Sequence, residues 1–256
     1  MKNFFILCCL WIACCAISAQ EPCPQVIPAL QQWKGGSGKL ALPAEGNIVV
    51  NPADEAVLLS TAEILADDLS MMMGWNYSVK IGKPGKNDIY MALMKPDKEL
   101  GDEGYKLSVN RYAGIEAPTR KGVFWGTRTL LQMLYKQQGK ISKGTARDFP
   151  LFPNRGFMID AGRKFFTLDY LKQYVKILSF YKMNEFQIHL NDNGFPQFFD
   201  NDWNKTYAAF RLESERFPGL TAKDGSYTKK EFTDLLAVAP EAKRKSFANK
   251  VLLGLL

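Results

Sequence analysis

Two short strand-like segments, Gly156 to Ala161 and Glu185 to Leu190, enclose a helical pattern from Leu168 to Lys182, and this order leaves few folds open. Each segment is too short to be a stable helix, and each carries a Phe and an Ile, residue types that favour strands. Between them Leu171, Tyr174, Val175, Leu178 and Tyr181 recur on one side of a helix, with Thr167 at the N-cap position. A crossover this short joins two parallel neighbours and does so with a right-handed turn. The unit is therefore the building block of α/β barrels and doubly wound sheets, in which functional side chains gather where the carboxyl ends of the strands converge.

The residues before this unit carry a different pattern. A loop is expected at Gly35, Gly36, Ser37 and Gly38, then a strand from residue 47 to 50. A helix follows, capped by Asn51 or Asp54, with Val57, Leu58, Ile64, Leu65, Leu69 and Met72 at helical spacing until Gly74 stops it. The methionines at its end, Met71 to Met73, read as core filler. Strands are expected at Tyr77 to Ile81, Asp88 to Ala92, Tyr105 to Val109 and Gly114 to Ala117. A second helix runs from Thr119 to Tyr135, with Val123, Thr127, Leu130, Leu131 and Leu134 as its apolar face. Residues 25–150 thus form a small α+β domain. Pro150 and Pro153 interrupt both regular patterns and place the boundary. The second domain spans 151–236 and includes a further helix, capped by Ser226 or Thr228 and carrying Phe232 and Leu235. In residues 237–256 Pro240 interrupts the helical pattern, and the basic run Lys243-Arg244-Lys245 and the apolar stretch Val251 to Leu256 follow.

Composition narrows the function classes. With 46% apolar and 12% aromatic residues the chain can bury a core in one large or two ordinary domains. The net charge is +7, but the basic residues are scattered rather than gathered in a stripe, which argues against a nucleic-acid partner. Lys2, the apolar run Phe4 to Ile17 and the small residues Ser18 and Ala19 read as a signal peptide, residues 1–19, cleaved after Ala19. The run is too short for a comfortable membrane helix, so no transmembrane segment is expected and the protein is exported, periplasmic or secreted. A rival reading takes Trp11-Ile12-Ala13-Cys14 as a lipoprotein box with the anchor on Cys14, although Trp is a poor first residue for one. Cys8, Cys9, Cys14 and Cys15 lie inside the signal, which leaves Cys23 alone and rules out a disulfide framework. One histidine and no thiolate cluster give no metal-ligand spacing, so neither a metal nor a cofactor is expected. Gly35-Gly36-Ser37-Gly38-Lys39 is followed by Leu40 and lacks both the earlier glycine and the hydroxyl residue of a phosphate-binding loop.

The first strand of the parallel unit ends in Asp160 and Arg163, the second in His189, Asn191, Asp192 and Asn193. These groups can bind sugar hydroxyls, and an Arg fork suits a pair of adjacent hydroxyls as it suits a carboxylate. On spacing alone the blander account comes first: Asp160 and Arg163 as a structural ion pair and His189 as a satisfied side chain near the core.

Longer motifs add to this. Arg155-Gly156-Phe157-Met158-Ile159-Asp160-Ala161-Gly162-Arg163, then Lys182-Met183-Asn184, then His189-Leu190-Asn191-Asp192, resemble in order and spacing the opening of the family 20 glycoside hydrolase barrel, that of the β-N-acetylhexosaminidases and lacto-N-biosidases. Residues 25–150 resemble the small α+β domain that precedes it, most clearly at Trp125-Gly126. The resemblance implies a glycan substrate with a terminal N-acetylhexosamine or lacto-N-biose unit. It further implies a retaining mechanism in which the substrate's own acetamido oxygen attacks and an Asp-Glu pair assists. By position, the resemblance implies that Arg163 binds the 3- and 4-hydroxyls of the terminal sugar and that Asp192 is a carboxylate of the same pocket, with Asp160 and His189 in support; Arg155, which precedes its strand, would point away from the active face. Asn193-Gly194-Phe195-Pro196 departs from the usual hexosaminidase pattern, toward the lacto-N-biosidases.

The chain's Asp-Glu pairs, Asp54-Glu55 and Asp102-Glu103, fall in the first domain, and with Asp67-Asp68 they read as caps or solvated faces. The catalytic pair is therefore expected to be absent and the barrel incomplete, with an inactive fragment or a carbohydrate-binding module as the alternative to an enzyme; residues 237–256 no longer resemble the family, and truncation or a frameshift is the expected reason. Two strands cannot close a barrel, so residues 150–256 are expected to fold partially or dissolve poorly. Trp75, Trp125 and Trp203 are candidate sugar platforms, with the ordinary half-buried or core role as the alternative.

Overall fold

The computed structural model describes residues 20–193, 195–202 and 208–238. The expected signal with Cys14, Trp203 and the stretch 239–256 lie outside the described residues. The chain divides into two compact units, Met1–Pro150 and Leu151–Leu256.

The first unit is a seven-stranded sheet with two helices on one face. Its elements are β1 (Gln32–Ala41), β2 (Glu45–Val50), α1 (Glu55–Met73), β3 (Asn76–Ile81), β4 (Ile89–Leu93), β5 (Tyr105–Val109), β6 (Ala113–Ala117), α2 (Arg120–Lys136) and β7 (Lys140–Asp148). The spatial order is β1-β7-β5-β6-β4-β2-β3. The β3, β2, β4 and β6 neighbours are parallel, and the β6, β5, β7 and β1 neighbours antiparallel. The run Ile48-Val49-Val50 is buried on both faces, as a central parallel strand requires.

Helix α2 starts where Thr119 caps it, its hydroxyl accepting from Gly122 N at 3.2 Å. Every residue from Gly122 to Leu134 is buried, so the apolar face expected from periodicity is only part of what this helix hides. The segment before β1 covers part of the rest, and α1 covers Arg128. Gln132 clamps that segment by accepting from Ile27 N and donating to Ile27 O, both at 2.8 Å.

Several expectations are corrected here. Gly35 to Gly38 are no loop but the middle of β1, whose register against β7 shifts between Gly35 and Lys39. Gly38 takes the bulge's positive φ of 74°, and a Cβ on Gly35 would stand 2.2 Å from Glu21 O. Asp54 stands at the N-cap of α1 without a side-chain cap bond; its carboxylate accepts instead from Leu93 N at 2.9 Å and Asn51 Nδ2 at 2.7 Å. Met71 is exposed and Met72 and Met73 half-buried, so they are not core filler. Asp68 is buried, not solvated, because it carries the charge that pairs with buried Arg128 at 2.5 Å.

The second unit opens with β8 (Gly156–Asp160), α3 (Leu168–Phe180) and β9 (Glu185–His189), and the two strands pair in parallel with Asp160 opposite His189. Thr167 caps α3 by accepting from Tyr170 N at 3.3 Å. The helix ends before Lys182, which takes a positive φ of 58°, and Tyr181 is therefore exposed rather than on the apolar face. At the amino end of the unit Arg155 donates to Lys182 O at 2.7 Å and Phe152 O at 2.9 Å, away from the strand ends that matter below. After β10 (Asn191–Asn193) and β11 (Ala208–Phe210), an antiparallel pair, comes α4 (Lys229–Val238). A capping box starts it: Thr228 N donates to Glu231 Oε2 at 2.8 Å, and Glu231 N to Thr228 Oγ1 at 3.1 Å. The core of this unit is Ile159, Ala161, Leu171, Phe186, Ile188, Leu190, Tyr227, Phe232 and Leu235.

Gly126 of α2 offers a test of the close packing in the first unit. A Cβ there would lie 2.5 Å from Ile115 Cγ2 and 3.1 Å from Tyr105 Cδ2. Alanine gains roughly 1 kcal/mol of helix propensity, while overpacking costs about 1–3 kcal/mol, and Ile115 has no flexible end to yield. Urea denaturation of Gly126→Ala is expected to show a net loss of stability; an unchanged or raised midpoint would contradict this packing.

Candidate functional site

Alternation along β8 and β9 decides what faces the helix and what does not. Ile159, Phe186 and Ile188 belong to the buried core on the α3 side. Their neighbours in the period of two, Met158, Asp160, Gln187 and His189, therefore face the other way. Met158 is 52% exposed on that open face.

At the carboxyl ends the two strands bring four polar side chains together. Arg163 N donates to Asp160 Oδ1 at 3.0 Å, and Arg163 Nη1 to Asp160 Oδ2 at 2.7 Å. Arg163 Nη2 lies 2.9 Å from Asp192 Oδ2, and that same oxygen is 3.0 Å from His189 Nε2. The result is a chain, Asp160, Arg163, Asp192, His189, running across the strand ends. The guanidinium carbon lies 5.1 Å from the centre of the Phe195 ring, which covers one face of the fork. The Arg163 side chain keeps 37% of its surface, so the group is fixed but reachable. Among the described residues, two of its five N–H donors point at carboxylates.

The turn between β8 and α3 makes this possible. Gly162 N donates to His189 O at 2.8 Å, which ties the turn to the end of β9. A Cβ on Gly162 would meet Asp192 N at 2.7 Å and Asn191 C at 2.8 Å, so the Asp160-x-x-Arg163 turn reaches the Asn191-Asp192 backbone only because this residue is glycine.

All four site residues read from the sequence thus converge. Asn191 sits in β10 beside them, while the side chain of Asn193 and all of Gly194 lie outside the described residues. Trp75 stacks on Tyr77 in the first unit, with ring centres 5.8 Å apart, and Trp125 is buried there at 6% exposure, which leaves Trp125 no open face for a sugar. The Asp54 carboxylate serves its own unit as described above, and in the same unit the backbone carbonyl of Asp102 accepts from Thr119 Oγ1. Among the described residues no three His, Cys, Asp or Glu side chains converge as a metal would need, and no helix is long and apolar enough to cross a membrane.

One residue of this region gave no sequence signal. Arg211, at 1% exposure, donates to Ala161 O at 2.7 Å and Gly162 O at 3.0 Å, and pairs with Asp224. A lone arginine between Phe210 and Leu212, with its partner far along the chain, has no periodicity to betray it.

Comparison with known proteins matches residues 23–149 to glycosyl hydrolase family 20, domain 2, and residues 152–245 to glycosyl hydrolase family 20, catalytic domain. A beta-hexosaminidase of Porphyromonas gingivalis is 26% identical over 92% of this chain and 32% of its own length. A lacto-N-biosidase of Bifidobacterium bifidum is 30% identical over 63% of this chain and 14% of its own. Among solved structures, Streptomyces plicatus N-acetyl-beta-hexosaminidase in complex with Thio-NAglucal superposes with a TM-score of 0.70 at 26% identity, covering 88% of this chain and 45% of that one. The chain thus spans about a third of the hexosaminidase from Porphyromonas and under half of the Streptomyces enzyme.

Gly162→Ala tests the close approach at the strand ends. The obstructing atoms are backbone and cannot swing aside, so a loss of about 1–3 kcal/mol is expected in thermal or urea unfolding. A variant as stable as the parent would show that the turn and the Asn191-Asp192 backbone are not in contact.

Proposed function

The chain belongs to glycosyl hydrolase family 20, and on that premise we propose that it comes from an exported glycosidase that removes terminal N-acetylhexosamine, or lacto-N-biose, from glycans. Residues 151–236 open a (β/α)8 barrel, and residues 25–150 are the small domain before it. The parallel β8-α3-β9 unit, with exposed Met158 on the face that further strands would cover, supports this reading.

The observation that carries the proposal is the Asp160-Arg163-Asp192-His189 chain at the strand ends. Arg163 is a cation pinned between two carboxylates, so its fork is oriented before any ligand arrives. Adjacent sugar hydroxyls can then accept from it without a cost in side-chain ordering. Asp192 stands beside that fork, and Asp160 and His189 hold the other two in place.

The reaction in this reading is retaining and substrate-assisted. The acetamido oxygen of the sugar attacks the anomeric carbon, a carboxylate steadies the oxazolinium, and a neighbouring acid protonates the leaving oxygen. This chain's residues take part by gripping the far side of the ring. Both of its Asp-Glu pairs lie in the first unit, where the Asp54 carboxylate is already taken by Leu93 N and Asn51 Nδ2, and this favours the second reading, a carbohydrate-binding unit that does not itself cleave.

Hydrolysis of an aryl N-acetyl-β-glucosaminide and of an aryl lacto-N-bioside, by this chain and by a form extended to a full barrel, separates the readings. Cleavage is expected from the extended form alone. In that form Arg163→Ala loses two charge-assisted bonds, each worth about 1.5–3 kcal/mol, so kcat/KM is expected to fall on the order of a hundredfold or more. An unchanged kcat/KM would refute the role of Arg163. For export, the intact mass of the mature protein is expected to begin at Gln20; a lipid-bearing chain beginning at Cys14 would contradict the cleavage after Ala19.

A further inference from the structure

The guanidinium of Arg211 uses all five of its donors inside the protein. Nε donates to Ala161 O at 2.7 Å and Nη2 to Gly162 O at 3.0 Å. Nη1 donates to Gly225 O at 2.9 Å, and Nη1 and Nη2 each take one oxygen of Asp224, in a bidentate pair. Arginine is seldom this deeply buried, and here its hydrogen-bonding capacity is spent in full on two turns.

Both turns matter to the rim. Ala161 and Gly162 are the two residues between Asp160 and Arg163, so their carbonyls define the turn that aims the Arg163 side chain. The other turn, Asp224-Gly225, is locked from behind. Gly225 has a φ of 148°, and a Cβ there would lie 2.4 Å from the Phe165 ring. The same ring lies 5.2 Å from that of Tyr227 and 5.8 Å from the Arg211 guanidinium. Tyr227 in turn donates its hydroxyl to Phe166 O at 2.5 Å. Burial pushes that hydroxyl up to about 12, so it remains a donor at any working pH. The Arg211 backbone is itself fixed on both sides, its N–H donating to Leu190 O at 2.9 Å and its carbonyl accepting from Tyr227 N at 2.6 Å.

We propose that Arg211 is a positioning residue: its buried guanidinium, bound to the carbonyls of Ala161 and Gly162 and clamped by Asp224, sets the turn that aims Arg163 at the sugar. The aim at a sugar rests on the function proposed above; the anchoring of the turn does not. A lysine at 211 keeps the charge but has a single nitrogen in place of the fork. It cannot reach both turn carbonyls and Asp224 at once.

The test combines amide hydrogen exchange with sugar binding in the full chain, for the parent and Arg211→Lys. Exchange at Gly162 N and Arg163 N, which are bonded to His189 O and Asp160 Oδ1, is expected to speed up at least tenfold in the variant, while the β8-β9 ladder amides keep their protection. In NMR titrations the parent is expected to bind N-acetylglucosamine more tightly than its 4-deoxy analogue, and the variant to lose most of that preference. Turn amides as slow in the variant as in the parent would overturn the proposal. Faster turn exchange with the parent's sugar preference intact would also overturn it, because Arg163 would then be aimed without the anchor. Faster turn exchange in the variant, with no sugar preference in the parent, would support the anchoring and refute the sugar reading. If the lysine variant loses ladder protection too, Asp224→Asn removes only the counter-charge, and the same local speeding of Gly162 and Arg163 exchange is required of it.

Discussion

Everything at the candidate site depends on the register of one parallel strand pair. Asp160 stands opposite His189 because Phe157 pairs with Phe186 and Ile159 with Ile188, and these side chains share one face. A slip of one residue would bury the polar set under α3 and expose the apolar set, which the core of Leu171, Phe232 and Leu235 forbids. The apolar face therefore determines where the polar groups end up, although it touches none of them.

That placement brings two carboxylates, Asp160 and Asp192, close to one another, which is unfavourable unless a cation stands between them. Arg163 is that cation, bound to both within hydrogen-bond distance. Its own position follows from backbone geometry: a glycine that lets two strand ends touch, and a turn whose carbonyls are held from below by a buried guanidinium. The rim is half-exposed, but its support is not. An exposed ion pair alone would contribute little to stability and could rearrange freely; one built on this buried scaffold keeps its geometry before ligand binds.

The sequence disclosed those parts of the molecule that repeat. The strand-helix-strand unit, both helices of the first unit and the residues from Tyr105 to Val109 follow from periodicity and caps such as Thr119 and Thr167. Strands β1 and β7 did not, because they form the antiparallel edge of the sheet and are built largely of Gly, Lys, Ser and Thr, whose pairing depends on a bulge rather than on alternation. Asp68 looked solvated because its partner, Arg128, lies on another helix. The four site residues were legible as strand ends carrying an ordered motif. Arg211 was not, since its partners are backbone carbonyls and a carboxylate in a loop, and neither leaves a local pattern.

In the proposed function, Arg163 and Asp192 act on a sugar as one unit rather than as two independent groups. A double-mutant cycle on the affinity for N-acetylglucosamine, with Arg163→Ala, Asp192→Ala and both together, measures this directly. The losses are expected to be strongly non-additive, with a coupling of about 1 kcal/mol or more. Losses that add to within roughly 0.3 kcal/mol would contradict it.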